Sequence, residues 1–311
     1  MGKYFLKRLL LIIPTFFLIT FVVFGMLSII PGNPAESILG IYATQEQVEA
    51  LTEELGLNQP FLIRYVDYIV DLLRGDLGVS WLQGYQISDQ VVVRLPNSLL
   101  LAFCAVFLTV IVGIPVGVYS AAKQYKLPDK ISLILSLVFA CIPAFWLALI
   151  AQLLFSVKLG WLPALAKAED WKSMILPVFT LSASAIANTV RTTRASMLDV
   201  LGQDYIRTAR AKGSSRVHVI LRHALPNALL PVVTGIGSSF SSVFSGAVII
   251  EIVFSYQGIG SLLITAVRGR DVPVVMGTVI FVALVICALN LAVDLSYACI
   301  DPRVRQRFSK S

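Results

Sequence analysis

Asp204-Tyr205-Ile206-Arg207-Thr208-Ala209-Arg210-Ala211-Lys212-Gly213, followed by His223-Ala224-Leu225-Pro226-Asn227-Ala228, is a basic segment set between two apolar runs. The run before it, Ser173–Val190, is short and rich in Ser, Thr and Asn; the run after it is about Leu229–Val253. Each meets the length of a membrane span, roughly 17–25 residues. The segment itself reads as helix, break, helix. Asp204 is the expected N-cap of a helix Tyr205–Lys212, and Gly213 its stop. Ser214 or Ser215 caps a second helix, Arg216–Ala224, which Pro226 is expected to break before the next span. A hydrophobic chain that keeps so long a basic, structured loop offers a docking place to a partner. Composition alone also allows two plainer readings, a positive-inside signal or a patch for anionic lipid.

The composition sets the class. The 311 residues are 57% hydrophobic and only 14% charged, where a soluble domain carries about 25% charged residues. The chain reads as an all-α polytopic membrane protein. Four further runs qualify as spans: Leu9–Ile30, about Asn97–Tyr119, Ile131–Val157 and about Val272–Ala298, making six. The first resembles a signal peptide in its basic start, but its apolar run is too long and no A-x-A site follows, so it reads as an uncleaved span. The net charge of +7 does not point to nucleic acid, because the basic residues flank apolar runs. The four cysteines lie in or beside apolar stretches without CxxC spacing, and His218 and His223 are five apart. Neither pattern suggests a metal site.

Lysine and arginine set the orientation. With the N-terminus in the cytoplasm, most of the 25 basic residues fall inside, including Lys123, Lys126, Lys130, Arg191, Arg194, Arg207, Arg210, Arg216 and Arg222. Both termini are then cytoplasmic. Segment 31–96 falls outside and carries several Glu and Asp residues. Thr44 and Gln47 form a capping-box pattern for a helix to Leu55 with Gly56 as its C-cap, and Phe61–Leu73 has helical spacing ending at Gly75. This predicts a small helical cap over the outer face of one membrane domain, 1–311, with 191–228 as its cytoplasmic loop.

The loop resembles the signature of importer-type ABC transporter permeases, E-A-A-x-x-x-G followed by leucine-proline. Arg207, Thr208, Ala209 and Gly213 occupy its positions, with Leu225-Pro226 downstream. The arginine and threonine depart from the generic form and are similar to the dipeptide, oligopeptide and nickel branch. Pro31-Gly32-Asn33-Pro34-Ala35, Leu55-Gly56-Leu57-Asn58-Gln59-Pro60, Arg74-Gly75-Asp76-Leu77-Gly78, Arg94-Leu95-Pro96-Asn97-Ser98, Ala195 to Val200, Glu251-x-x-Phe254, Gly258-Ile259-Gly260, Asp271-x-Pro273 and Asp301-Pro302-Arg303 resemble that branch in order. The start and the large outer segment resemble the first of its two paired subunits.

The resemblance implies an importer-type ABC permease fold in a bacterial cytoplasmic membrane. It implies a second permease subunit, two ATPase subunits and an extracytoplasmic solute-binding protein as partners, and no nucleic acid. ATP and Mg would be bound by the ATPases, so this chain is expected to hold no cofactor and no catalytic residue. The coupling positions are Asp204, Arg207, Thr208, Ala209, Arg210, Gly213, Val217, Leu221, Leu225 and Pro226. Closure of the ATPases would move this loop and tilt the spans.

Ser182, Ser184, Asn188, Ser238, Ser239, Ser242 and Ser245 are candidates for a polar path, with small-residue helix packing as the alternative. Asn290, Glu251 and Asp294 are polar groups in or near spans, for which structural roles are favoured. Di- or oligopeptides are the first choice of cargo, nickel or a nickel chelate the second. A proton-coupled carrier would need mid-membrane acidic or histidine residues and an internal repeat, and neither is seen. A membrane-embedded enzyme would need a convergent nucleophile or metal cluster, and a channel a filter pattern.

Overall fold

The structure, a computed structural model, describes residues 2–29, 33–40 and 42–300. All regular elements among them are helices, apart from one isolated antiparallel bridge between Val79 and Gln86. The chain forms two compact units, 1–97 with 257–288, and 98–256 with 289–311.

In the first unit, α1 (Gly2–Ile29) is followed by α2 (Pro34–Leu39), α3 (Gln45–Glu54) and α4 (Phe61–Leu73). The capping box is present: Gln47 N–H donates to Thr44 Oγ1, and Thr44 N–H to Gln47 Oε1 at 3.0 Å. Gly56 and Gly75 take φ of +62° and +86° at the ends of α3 and α4. Only glycine enters this region without penalty; α3 ends one residue earlier than expected, with Leu55 at the C-cap position and Gly56 just beyond it. Phe61, Tyr65, Tyr68 and Leu72 repeat at helical spacing, and this face of α4 packs on Phe24 of α1. The Phe24 ring centroid lies 5.3 Å from that of Phe61 and 5.7 Å from that of Tyr65. A second cluster joins Ile87 and Val91, at the start of α5 (Ile87–Ala122), to α12 (Ile259–Gly269) and to Val274 and Val275 of α13 (Val272–Ile300). Helix α12 is absent from the sequence reading, its 11 residues being too few to register as a span.

In the second unit, α5 continues into α6 (Leu127–Cys141) and α7 (Ala144–Ala151), which runs on as π-helical turns Gln152–Lys158. Next come α8 (Trp171–Leu201), α9 (Asp204–Ala211), α10 (Arg216–His218), π-helical turns Val219–Ala224 and α11 (Leu225–Val253). The expected third span, Ile131–Val157, is not one straight helix: α6 and α7 meet at 102°. Pro143 supplies no N–H and drives Ile142 to an extended ψ of 124°, as proline does to its predecessor.

The weakest expected span proves the most enclosed. Helix α8 packs against α6, α7 and α11, and its small side chains permit close approach. A Cβ placed on Gly113 or Gly117 of α5 would lie 2.8 Å from the Thr189 side chain or 2.6 Å from that of Thr193. Among the described residues, four helices are long and apolar enough to cross a membrane, or five if the bent pair counts as one span; the described apolar part of α1, Ile13–Ile29, is shorter. The Asp294 side chain, Pro31-Gly32 and Asp301-Pro302-Arg303 lie outside the described residues.

Candidate functional site

The segment 202–226 folds as a bracket in the second unit. Helix α9 is too short to be stable alone, and its anchor is Ile206, fully buried. Ile206 sits in a cluster with Met197 of α8, Ala121 of α5, and Val219, Ala224 and Ala228 beyond the break, against which Ala209 and Leu225 are also packed. Gly213 makes the turn at φ +82°, with nothing near a would-be Cβ. Its requirement for glycine is therefore one of backbone geometry alone.

Two expectations need correction. Asp204 is the first residue of α9, not its N-cap; the cap position is Gln203, which makes no side-chain cap bond. Asp204 instead lies 3.5 Å from Arg207, both well exposed. At the second helix the cap is Ser215, whose Oγ accepts from His218 N–H. Pro226 does not break the chain there: Arg216–Val253 runs through as one helical stretch. The π-helical turns explain why. Leu225 N–H already reaches back five residues to Ile220 O, and Pro226 then stands in the first turn of α11, where a missing N–H is tolerated.

The bracket is tied to the rest of the unit by polar contacts as well. Arg216 donates to Ala122 O at the end of α5. Just beyond, Asp129 is buried and accepts from both Arg194 Nε at 2.6 Å and Nη2 at 2.9 Å, from Ser120 Oγ at 2.5 Å and from Tyr125 N–H at 2.9 Å. This carboxylate knots the ends of α5 and α6 to α8. Sequence reasoning missed it: Asp129 beside Lys130 reads as a solvated charge, and Arg194 as one more loop cation. It also missed Ile206; a lone isoleucine in a polar decapeptide was the available signal.

The outer side of the bracket mixes charge and apolar surface. Arg207, Thr208, Arg210, Lys212 and Pro226 are exposed, and so are Tyr205, Val217 at 65% and Leu221 at 55%. Ala209 and Leu225 belong to the inner side. Such a surface, cationic with isolated apolar side chains on a rigid backing, suits a protein partner.

A polar face extends from this region. Ser238, Ser242 and Ser245 of α11 are exposed at helical spacing with Pro231, Thr234 and Gly235. On α8 the exposed Asn188, whose Oδ1 accepts from Arg191 Nη2 at 2.6 Å, lies in a groove of about 550 Å³ with Thr192, Asp199 and Pro231. Ser184 and Ser239 are half-buried, and Ser239 bonds to Gly235 O. Ser182 is placed elsewhere: it is fully buried and donates to Phe179 O. Glu251 is buried too and accepts from Ser98 Oγ at 2.6 Å, while Asn290 Oδ1 accepts from Ser241 Oγ at 2.6 Å.

The described residues, helical apart from one isolated bridge, with an enclosed α8, a basic bracket and an open polar face in the second unit, suit the membrane subunit of a transporter. Residues 113–306 match the binding-protein-dependent transport system inner membrane component family, and residues 1–102 its membrane-component N-terminal family; the chain belongs to these binding-protein-dependent transport permeases. It is 38% identical over 307 residues to the glutathione transport system permease protein GsiC of Escherichia coli strain K12, a match covering 99% of this chain and 100% of that protein. GsiC of Salmonella choleraesuis strain SC-B67 is equally similar, at 38% with the same coverage. An inward-facing structure of the MetNI methionine ABC transporter superposes with a TM-score of 0.58 at 18% identity, covering 68% of this chain and 96% of that one. This shared fold is that of ABC importer permeases. The chain is thus the non-catalytic permease component of an ABC importer, a polytopic inner-membrane subunit of a family that works with a second permease, ATPases and a binding protein.

Proposed function

We propose that this chain forms half of the translocation path of an importer for di- or oligopeptides, and that the segment 204–226 is its docking bracket for an ATPase subunit. The observation that carries the coupling reading is the two-sided bracket: buried Ile206 inside, exposed Arg207, Arg210, Val217 and Leu221 outside. A segment held from within, with cations and isolated apolar side chains on its outer side, is suited to transmit a push from a protein partner. Both termini and this bracket would face the cytoplasm, and segment 31–96 the other side, where a solute-binding protein delivers cargo. The exposed polar face with Asn188, Ser238, Ser242 and Ser245 would complete a path against the second permease. The peptide reading is supported by the 38% likeness to permeases of a glutathione system, glutathione being a tripeptide.

The test uses exposed positions. Arg207→Glu and Leu221→Glu should leave expression and melting temperature unchanged and abolish both uptake and co-purification of the ATPases. Ala209→Glu is a poorer probe, since Ala209 packs on the buried cluster. Unchanged uptake in both variants sinks the docking assignment. The cognate binding protein, titrated with dipeptides and with nickel chelates, decides the cargo; a nickel-only response overturns the peptide reading.

A further inference from the structure

The first unit holds a cavity of about 720 Å³ that the coupling and path assignments leave unused. Its size lies within the 300–1,000 Å³ range of small-molecule sites. Phe24 and Leu27 of α1, Val267 of α12 and Val272 and Val275 of α13 give it apolar walls. Three charged side chains line the same space: Glu36 of α2, Arg64 of α4 and Arg270 at the end of α12.

These charges are presented without partners of opposite sign. Among the described residues, none of the three is in an ion pair. Arg64 is half-buried, stacked over the Phe24 ring at 5.6 Å, with only a long 3.5 Å contact to Leu57 O. Burial pulls its guanidinium below the ordinary value, with no carboxylate to offset this. Arg270 stands at φ +57°, a left-handed conformation in which a non-glycine residue stores strain.

The backbone beside two of these groups is fixed by buried or capping contacts. The next residue, Asp271, is buried and accepts from Ser80 Oγ at 2.5 Å and from Trp81 N–H at 3.2 Å, which sets Trp81 in the cavity wall. Asn33 caps α2 below Glu36 and donates to Thr52 Oγ1 at 2.8 Å. Two cations and one anion around an apolar space, Arg64 half-buried and Glu36 and Arg270 at its exposed rim, are complementary to a small ligand with two carboxylates and one ammonium.

We infer that this cavity is a subsite for a small peptide of net charge −1, its two carboxylates taken by Arg64 and Arg270 and its ammonium by Glu36. The inference rests on the peptide reading of the cargo and narrows it to acidic peptides. An anionic lipid fits less well, because its phosphate would meet the Glu36 carboxylate without an ammonium to offset it. Guanidinium–carboxylate bonds are charge-assisted and directional, so loss of either arginine should weaken binding about tenfold or more.

The experiment is ligand-observed saturation-transfer NMR on the complete transporter in nanodiscs of zwitterionic lipid without its binding protein. The probes are alanyl-glutamate, alanyl-alanine and N-acetyl-alanyl-glutamate. Alanyl-glutamate should bind the native complex, and about tenfold more weakly after Arg64→Gln or Arg270→Gly. Arg270→Gly relieves the left-handed strain, so it removes the guanidinium without a folding penalty. Glu36→Gln should weaken alanyl-glutamate and leave the acetylated peptide unchanged. Equal binding of alanyl-glutamate to the native complex and both arginine variants overturns the subsite. So does phosphatidylglycerol that co-purifies with the native complex and is lost from Arg270→Gly. Cellular uptake is measured in parallel. Native complexes that import neutral and acidic peptides alike, with binding insensitive to the variants, sink the subsite alone. Native complexes that import no peptide sink the peptide reading itself.

Discussion

Ile206→Ala isolates what holds the bracket. Ile206 is fully buried, and its side chain is the main apolar contribution of α9 to the cluster formed with Met197, Val219 and Ala224. Removing it forfeits the burial of three carbon atoms and leaves a cavity between α9 and α8. Substitutions of this kind cost about 2–5 kcal/mol. The break at Gly213 lets α9 respond locally, and an eight-residue helix has no independent stability. The cost should therefore appear as undocking of α9 rather than as global unfolding. At 1.4 kcal/mol per factor of ten, amide exchange in 204–211 should accelerate roughly 30-fold to 4,000-fold, while exchange in α8 and α11 stays unchanged. Uptake should fall with it, and ATP hydrolysis should continue uncoupled. The assay is hydrogen–deuterium exchange of the complete transporter in nanodiscs beside peptide uptake in cells. Unchanged exchange in 204–211 would refute the anchoring argument. Faster exchange with normal uptake would refute the claim that a rigid bracket is needed for coupling.

Three further substitutions probe the scaffold. Asp129→Asn leaves Arg194, 17% exposed at its side chain, buried without a counter-charge and should cost about 3–5 kcal/mol; thermal melts should show the double variant with Arg194→Gln recovering much of it, and additive losses would mean that the pair is not coupled. Gly117→Val places a branched Cβ 2.6 Å from Thr193 and should separate α5 from α8, lowering the yield of folded protein severalfold in fluorescence size-exclusion profiles; normal yield would show that the crossing is looser than the geometry requires. Gly213→Val meets no steric neighbour, so its cost is that of holding a β-branched residue at φ +82°, at least about 1–2 kcal/mol; it should abolish uptake while leaving melting of the whole protein within a few degrees, and a fully active variant would remove the turn from the coupling pathway.

Features legible in the chain before folding share one property: they depend on neighbours a few residues apart. Apolar runs of span length announce a membrane protein because the bilayer leaves the backbone little alternative to helix. The Thr44 capping box, the glycine stops at 56 and 75, and the turn at Gly213 are set by local hydrogen bonding and by φ, and the structure has each within one residue of where the pattern places it. The basic bracket is visible for the same reason. Even local reading falters where two rules compete: Asp204 and Pro226 carry strong capping and breaking signals, yet Gln203 holds the cap position and the π-helical turns carry the helix through the proline.

Tertiary structure alone decided what lies between distant residues. Asp129 and Arg194 are 65 positions apart, and nothing near either marks it as half of a buried pair. Nothing along the chain marks Gly113 and Gly117; their need for glycine arises only where α8 brings Thr189 and Thr193 against them. Ser182 and Ser238 are chemically identical, and burial by packed neighbours places one inside while the other stays on the open face. Glu36, Arg64 and Arg270 look like scattered surface charges along the chain, and only folding of the first unit gathers them around one cavity. A sequence specifies periodicity and turn chemistry at short range; which faces meet is settled by packing, where the energies of many weak contacts are summed over the whole fold.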